Sequence, residues 1–262
     1  MGFSNAQFEE VKEKIISGAS DLEVNVAALR AVIRTHPQIA LMPDFVKDAV
    51  QWCSEQIYRL GYQFCAAVKD AAIGIAAPVL FFTYAFDWQD IRGLASNVVG
   101  QLKPEAMPAA GSWAGQAAAT YKTSIKPQGE AANKIATIAE KTSIALGFSA
   151  AGGLGFYAGV GAILAKLIAT VVAAIAALGT GVFSWVGLGL VLGEISISIG
   201  MLGGLVTGLT AFLGSQAQNL ISLHGEAVDN SFFPGGKWPD PFTGSFNDGS
   251  VKDGDADWSL NR

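Results

Sequence analysis

The sequence predicts an all-α fold, a helical bundle followed by a Gly-rich hydrophobic helical hairpin. Apolar residues recur every three to four positions along most of the chain before Lys141, which is the period of an amphipathic helix. The block from Thr142 to Ser215 then contains only two formal charges, Lys166 and Glu194. An ordinary soluble domain carries a charge at about every fourth position. Such a block must be hidden from water, and it is long enough for two membrane spans of roughly 20 residues each.

The N-terminal part of the chain is a series of predicted amphipathic helices. Residues 5–34 place apolar side chains at helical spacing, and a proline-containing loop follows. Asp44 is the expected N-cap of a helix that runs to about residue 69. Residues 71–86 are uncharged but short for a membrane span, and Pro78 should kink a helix there. A buried soluble helix is therefore favoured over a third membrane segment.

Two helices with apolar positions at steps of three and four follow, separated by a loop rich in Pro, Ala and Gly. The first covers residues 87–102, and the second follows Trp113-Ala114-Gly115. Their spacing predicts that the two helices pack side by side. Lys126-Pro127 lies within the second helix and should bend or restart it. Together with the preceding helices, this pair defines a predicted helical head over residues 1–141.

Lys166 and Glu194 are predicted to form a buried charge pair within the hairpin of residues 142–215. A turn is expected at Gly179-Thr180-Gly181, and the two charges are equally far from Thr180 along the chain. In an antiparallel hairpin closed at this turn, both charges would lie about 21 Å from the tip. An isolated charge in hydrocarbon is costly, and pairing is the usual solution. Each side chain could instead snorkel separately or line a wet cavity.

Glycines at every fourth position predict close helix packing in the same block. Small residues at this spacing let helix backbones approach each other. Unpacked glycines would only weaken a helix, by up to about 1 kcal/mol each. The alternative is a Gly-rich hairpin buried in a soluble protein. The glycines predicted to pack are Gly155, Gly159, Gly200, Gly204 and Gly208.

The composition argues against several classes of function. The net charge is −5 and no basic, aromatic-rich patch occurs, so nucleic acid is not an expected partner. No histidine, cysteine or carboxylate cluster has catalytic or metal-ligand spacing. No Gly-rich run is followed by the Lys-Ser or Lys-Thr of a phosphate loop. The sequence therefore predicts no enzyme activity, no cofactor, no metal and no small-molecule substrate.

Both ends of the chain are polar. The segment from Met1 to Ser20 lacks the apolar core of a secretory signal peptide, so we expect any export to follow a signal-peptide-independent route. Residues 216–262 are acidic and rich in Gly, Pro and Asp, and they are predicted to form a flexible tail. Cys53 and Cys65 would lie about 18 Å apart along one helix, too far for a disulfide, so free thiols are expected.

A Trp-x-Gly motif lies between the two side-by-side helices, within the segment from residue 88 to residue 146. The residues of the pattern are Trp88, Leu102-Lys103-Pro104, Ser112-Trp113-Ala114-Gly115-Gln116-Ala117-Ala118, Tyr121 and Gln128. This segment resembles the helix–turn–helix of WXG proteins, the small proteins of ESX-type (type VII) secretion systems in actinobacteria. The resemblance implies that Gly115 allows the tight turn and that Trp113 caps the apolar end of the helix pair. No tyrosine is followed at the fourth position by an acid, so the chain departs from the export signal common in that family.

The resemblance and the apolar block together imply a function other than catalysis. We expect a type VII secretion-associated envelope protein that oligomerises and inserts its hairpin into a membrane, as a pore or transport component. The alternatives are a soluble secreted assembly or binding protein that buries the hairpin in an oligomer or filament, and a pore-forming toxin. The expected partners are membrane lipid, further copies of the chain and a WXG-type protein. The expected location is the cell envelope or the exterior.

Overall fold

The computed structural model describes residues 5–107, 116–179 and 185–240, and it confirms the all-α prediction. The described residues form two compact units, one within Met1–Phe81 and Ser149–Ser215 and the other within Phe82–Phe148 and Gln216–Arg262. Short 3-10 turns occur at Pro104–Ala106, Asn230–Phe232 and Pro234–Gly236. The α-helices are α1 Asn5–Thr35, α2 Pro37–Ala40, α3 Asp44–Ala72, α4 Ala77–Gln101, α5 Gln116–Ser124, α6 Lys126–Gly179 and α7 Trp185–Ala227.

The first unit is a bundle in which α1 and α3 pack on α6 and α7. Its apolar core takes residues from all four helices. The amphipathic pattern of α1 accounts for its share, because one apolar side chain per turn points inward while the charged residues face solvent. The large α1 core residues are each at most 1% exposed: Phe8, Ile15, Leu22, Val26, Leu29 and Ile33.

Ion pairs fix α1 antiparallel to α3. Arg30 donates to both carboxylate oxygens of Glu55, at 2.6 and 2.7 Å, and its guanidinium carbon lies 4.3 Å from the centre of the Tyr58 ring. At the other end of the pair, Lys69 donates to Glu23 at 2.6 Å. Polar contacts on the outside therefore set the register of an apolar interface.

The second unit contains an antiparallel pair formed by α4 and α6. Ser143 Oγ donates to the carbonyl of Ala85 at 2.7 Å, and Arg92 lies 3.5 Å from Glu140. This is the side-by-side pair that the heptad spacing predicts. The restart predicted at Lys126-Pro127 is also confirmed, because α5 ends at Ser124 and α6 begins at Lys126.

The segment around Pro78 differs from its prediction. Pro78 lies in the first turn of α4, where a missing N–H costs nothing, so Pro78 begins the helix Ala77–Gln101 and does not interrupt it. The prediction of a buried helix over residues 71–86 is wrong. Ile73 is 84% exposed, and Leu80 and Phe86 are also exposed. Residues 73–76 form a turn between α3 and α4, so the segment is not a single helix either.

The predicted division of the chain at residues 141/142 and 215/216 falls inside α6 and α7. Residues 216–227, the start of the predicted flexible tail, continue α7 as helix. Beyond the helix, the Gln128 amide donates to the carbonyl of Pro239 at 3.2 Å. Residues 241–262 lie outside the described part of the chain. Both cysteines are free, as predicted.

Lysines of α6 hold the end of α7 in the second unit. Lys141 donates to Glu226, and Lys134 lies 3.8 Å from Glu226 and 3.4 Å from Asp229. The hydrogen bond from Lys141 lowers the pKa of the Glu226 carboxyl, and hydrogen bonds with Ser231 lower the pKa of the Asp229 carboxyl. These contacts explain why an acidic segment is ordered here, since its carboxylates find fixed cations.

Two neighbouring glycines of α6 should respond oppositely to alanine. A methyl group on Gly153 would lie 2.6 Å from the Pro78 ring, whereas nothing lies within 4 Å of one on Gly155. Gly155→Ala should stabilise the protein by up to about 1 kcal/mol through helix propensity. Gly153→Ala should lower the melting temperature, because overpacking costs about 1 to 3 kcal/mol. Thermal unfolding followed by circular dichroism measures both, and equal shifts of the same sign would refute the contact.

Candidate functional site

The candidate functional site is the hairpin formed by α6 from residue 149 and α7 up to residue 215. Three helical stretches are long and apolar enough to cross a membrane: Asp44–Gln101, Ala119–Leu178 and Gly187–Phe232. In the most apolar windows of the last two, only 28% and 22% of the residues are buried. The fold thus leaves most residues of the hairpin's apolar windows unburied, even though other residues of the same helices lie in the apolar core.

Three contacts establish the antiparallel register of the hairpin. Lys166 meets Glu194, Gly159 meets Leu205, and Gly152 meets Phe212, so positions ascend in α6 as they descend in α7. Helix α6 ends at Gly179, the start of the predicted turn, and the next residues of that turn lie outside the described ranges. The turn position inferred from the two charges agrees with this register.

One side of the hairpin, its inner face, carries bulky residues and is covered by α1 and α3. A Cβ on Gly18 of α1 would lie 2.9 Å from Leu164, and one on Gly161 would lie 3.8 Å from Ile15. The hydroxyl of Tyr157 donates to the α3 carbonyl of Ala71 at 2.9 Å. The buried residues of the inner face include Phe156, Val160, Leu164, Leu167, Val171, Leu188, Val191, Ile195 and Leu202.

The opposite side, the outer face, is exposed. On α6 it is lined by small residues at steps of three and four: Ala151, Gly155, Ala158, Ala162, Ala165 and Ala169. On α7 it carries the glycines Gly193, Gly200, Gly204 and Gly208 together with the large exposed side chains of Leu190, Ile197 and Met201. Small residues in such rows form flat surfaces on which a further helix can pack closely.

Lys166 and Glu194 come together on this hairpin. Lys166 Nζ lies 2.8 Å from Glu194 Oε1. The pair is not buried on both sides, which corrects the sequence-based description: the Glu194 side chain is 15% exposed, but that of Lys166 is 61% exposed. A lysine can keep its ammonium in solvent while its aliphatic stem lies on an apolar surface. The contact also lacks hydrogen-bond geometry, so the buried Glu194 Oε1 has no hydrogen-bond partner among the described residues.

A groove of about 460 Å³ opens beside this charge pair. Ser198, one turn beyond Glu194, lines the groove; it is only 1% exposed, and its hydroxyl has no hydrogen-bond partner among the described residues. The groove thus joins an apolar wall to the unpartnered hydroxyl of Ser198 and to the charge pair of Lys166 and Glu194. Its lining residues are Gly159, Ala162, Ile163, Lys166, Glu194, Ser198, Met201, Gly204 and Leu205.

The five glycines predicted to pack do not behave alike. Gly159 makes a close approach within the chain, since a Cβ there would lie 2.9 Å from Leu205. The other four face open space, with nothing within 4 Å of an added Cβ: Gly155, Gly200, Gly204 and Gly208. Sequence reasoning missed glycines that do pack, among them Gly18 and Gly61. Both lie on the apolar side of an amphipathic helix, and a glycine at such a position indicates that another helix packs closely there.

The residues of the Trp-x-Gly motif are only partly described. Trp88 is half-buried on α4, and Tyr121 on α5 is 37% exposed. Trp113 and Gly115 lie outside the described residues. Their predicted roles in the turn stay predictions.

Within the described ranges, no three His, Cys, Asp or Glu side chains are placed to hold a metal ion. Comparisons of the chain with models of protein families, with curated proteins and with solved structures each give no match.

Proposed function

We propose that this protein is a type VII secretion-associated protein of the cell envelope that oligomerises and inserts the α6–α7 hairpin into a membrane, as a pore or transport component. The observation that carries the proposal is the composition of the hairpin, whose only charged residues are Lys166 and Glu194. The parts of α6 and α7 within residues 149–215 are each about 45 Å long at a rise of about 1.5 Å per residue. That length exceeds the roughly 30 Å hydrocarbon core of a bilayer.

The secretion-system part of the proposal rests on the resemblance of residues 88–146 to WXG proteins. The antiparallel α4–α6 pair supports it, because that is the arrangement the resemblance implies for its two helices. A WXG-type protein remains the proposed protein partner, and a partner would also supply the export signal that this chain does not carry.

Membrane insertion requires α1 and α3 to leave the hairpin. Both helices contact the inner face. Both also carry charged residues on their outer sides, such as Glu10, Lys14 and Glu55. Such helices cannot accompany the hairpin into hydrocarbon, where each charge costs several kcal/mol. Their amphipathic character instead suits the membrane surface. Separation would turn the inner face toward lipid and leave the outer face, with its rows of alanine and glycine, for helix packing.

The covering by α1 and α3 also favours a second candidate function. A protein that never inserts would keep its inner face covered and bury only the outer face, in an oligomer or filament. A pore-forming toxin would use both states in sequence, soluble first and inserted later.

Flotation with liposomes, followed by carbonate extraction, tests insertion. The wild-type chain should float and resist extraction. Ala158→Asp places a charge on an exposed position of α6, where the soluble fold tolerates it but the bilayer does not. At about 1.4 kcal/mol per factor of ten, this change should lower the inserted fraction at least tenfold. Ala119→Asp, exposed on α5, is the matched control and should float normally. A wild-type chain that stays soluble with liposomes present would favour the assembly function.

A further inference from the structure

We propose that the outer face of the hairpin is the surface on which a second copy of this chain packs, with α6 of each copy against α7 of the other at the same depth. This inference rests on the proposed function, because it uses the same hairpin. It adds which molecule packs on the hairpin, which face of the hairpin it contacts and how the helices of the two copies are aligned. The two-fold axis would run along the hairpin, so that both copies point the same way.

The outer face leaves room for such a partner. Its α7 glycines Gly193, Gly200, Gly204 and Gly208 have nothing within 4 Å of an added Cβ. From residue 190 to residue 208 this face is about 27 Å long, and a helix is about 10 Å wide. Two such helices side by side offer about 540 Å², about two thirds of the roughly 800 Å² per partner of a standard interface.

The groove in the middle of this face provides a second, independent indication of a partner. The buried hydroxyl of Ser198 has no hydrogen-bond partner among the described residues, and the buried Oε1 of Glu194 has only its ion-pair contact with Lys166. An unsatisfied buried polar atom costs free energy comparable to a lost hydrogen bond. An occupant that brings a hydrogen-bond donor to this level would remove that cost. A lipid acyl chain has no donor and cannot do so.

A second copy brings the required group to the required place. Because Lys166 and Glu194 lie at the same level of the hairpin, a two-fold axis along it places Lys166 of each copy near Glu194 of the other. Lys166 is 61% exposed, so its ammonium is accessible to a second copy. The result is a neutral cluster of four charges in which each carboxylate meets two ammonium groups.

Cross-linking between two differently tagged single-cysteine variants tests the register. Both carry Cys53→Ser and Cys65→Ala; one adds Ala162→Cys and the other adds Gly200→Cys, two exposed positions at the same level of α6 and α7. Mixed and oxidised, they should form a heterodimer. Ser222→Cys, exposed on α7 beyond the hairpin, replaces Gly200→Cys as control and should give at least tenfold less. Equal yields from both mixtures, or none from either, would overturn the proposal.

A variant with a bulky side chain on the outer face distinguishes specific packing of two copies from cross-linking by random collision. Gly204→Leu fills the outer face where the chain itself leaves open space, and it should lower the heterodimer yield at least tenfold. Gly93→Leu, an equally open helical glycine on α4, should leave the yield unchanged. The reaction is run on the floated and on the liposome-free fraction. Flotation without cross-linking refutes the dimer face and leaves insertion standing, whereas cross-linking without flotation refutes insertion and leaves the dimer face standing.

Discussion

Oxidation of the double variant Ile15→Cys/Gly161→Cys should lower the liposome-inserted fraction at least tenfold. The two positions face each other between α1 and α6, where a Cβ on Gly161 would lie 3.8 Å from the Ile15 side chain. The contacting atom is Cγ1 of Ile15, so the two Cβ atoms lie more than 4 Å apart, against the roughly 3.5 to 4.5 Å between the Cβ atoms of a disulfide. The bond would hold α1 on the inner face. The hairpin would then have to carry the charged side of α1 into hydrocarbon, at several kcal/mol per charge.

The same protein supplies the controls for this lock. Reduction of the double variant should restore insertion, because it removes the bond and leaves both substitutions in place. Val26→Cys/Gly61→Cys is the matched disulfide, since a Cβ on Gly61 would lie 3.5 Å from the Val26 Cβ. It joins α1 to α3 without touching the hairpin, so its oxidised form should insert. Normal insertion by the oxidised α1–α6 lock would show that the inner face never opens, and the membrane would then meet only the outer face.

Periodicity and charge placement were enough to predict much of this structure. The core residues of α1 follow from helical spacing alone, because each apolar position of an amphipathic helix has one way to be buried. The contact between Lys166 and Glu194 follows from their equal distance to a turn. Both features depend on local geometry, which the sequence specifies directly.

The contacts between helices that are distant in the sequence could not be predicted. Spacing by four positions identifies a row of glycines, but Gly159 packs within the chain while Gly204 faces open space. Gly159 lies on the side of α6 that meets α7, whereas Gly204 lies on an exposed side of α7. The order of residues 216–240 likewise depends on Lys134 and Lys141, which lie far away in the sequence.

Lys166→Met should lower the liposome-inserted fraction about 100-fold while changing the stability of the soluble protein by less than about 1 kcal/mol. In the soluble state Lys166 is mostly exposed, so its contact with Glu194 is screened by water. In hydrocarbon the same contact would compensate a charge that costs roughly 2.5 to 3.5 kcal/mol at the centre of a helix. Flotation measures the first quantity, and chemical denaturation without lipid measures the second.

The double variant Lys166→Met/Glu194→Gln separates pairing from a requirement for lysine itself. Removing both charges should restore insertion to near the wild-type level, because the isolated carboxylate that penalises the single variant is gone. Two changes in contact are expected to be non-additive in this way. Lys126→Met removes an exposed lysine that lies 3.7 Å from Glu130, outside the hairpin, and it should leave insertion unchanged. If the double variant inserts as poorly as Lys166→Met, the two charges act independently, and Lys166 would then contact something other than Glu194 in the membrane.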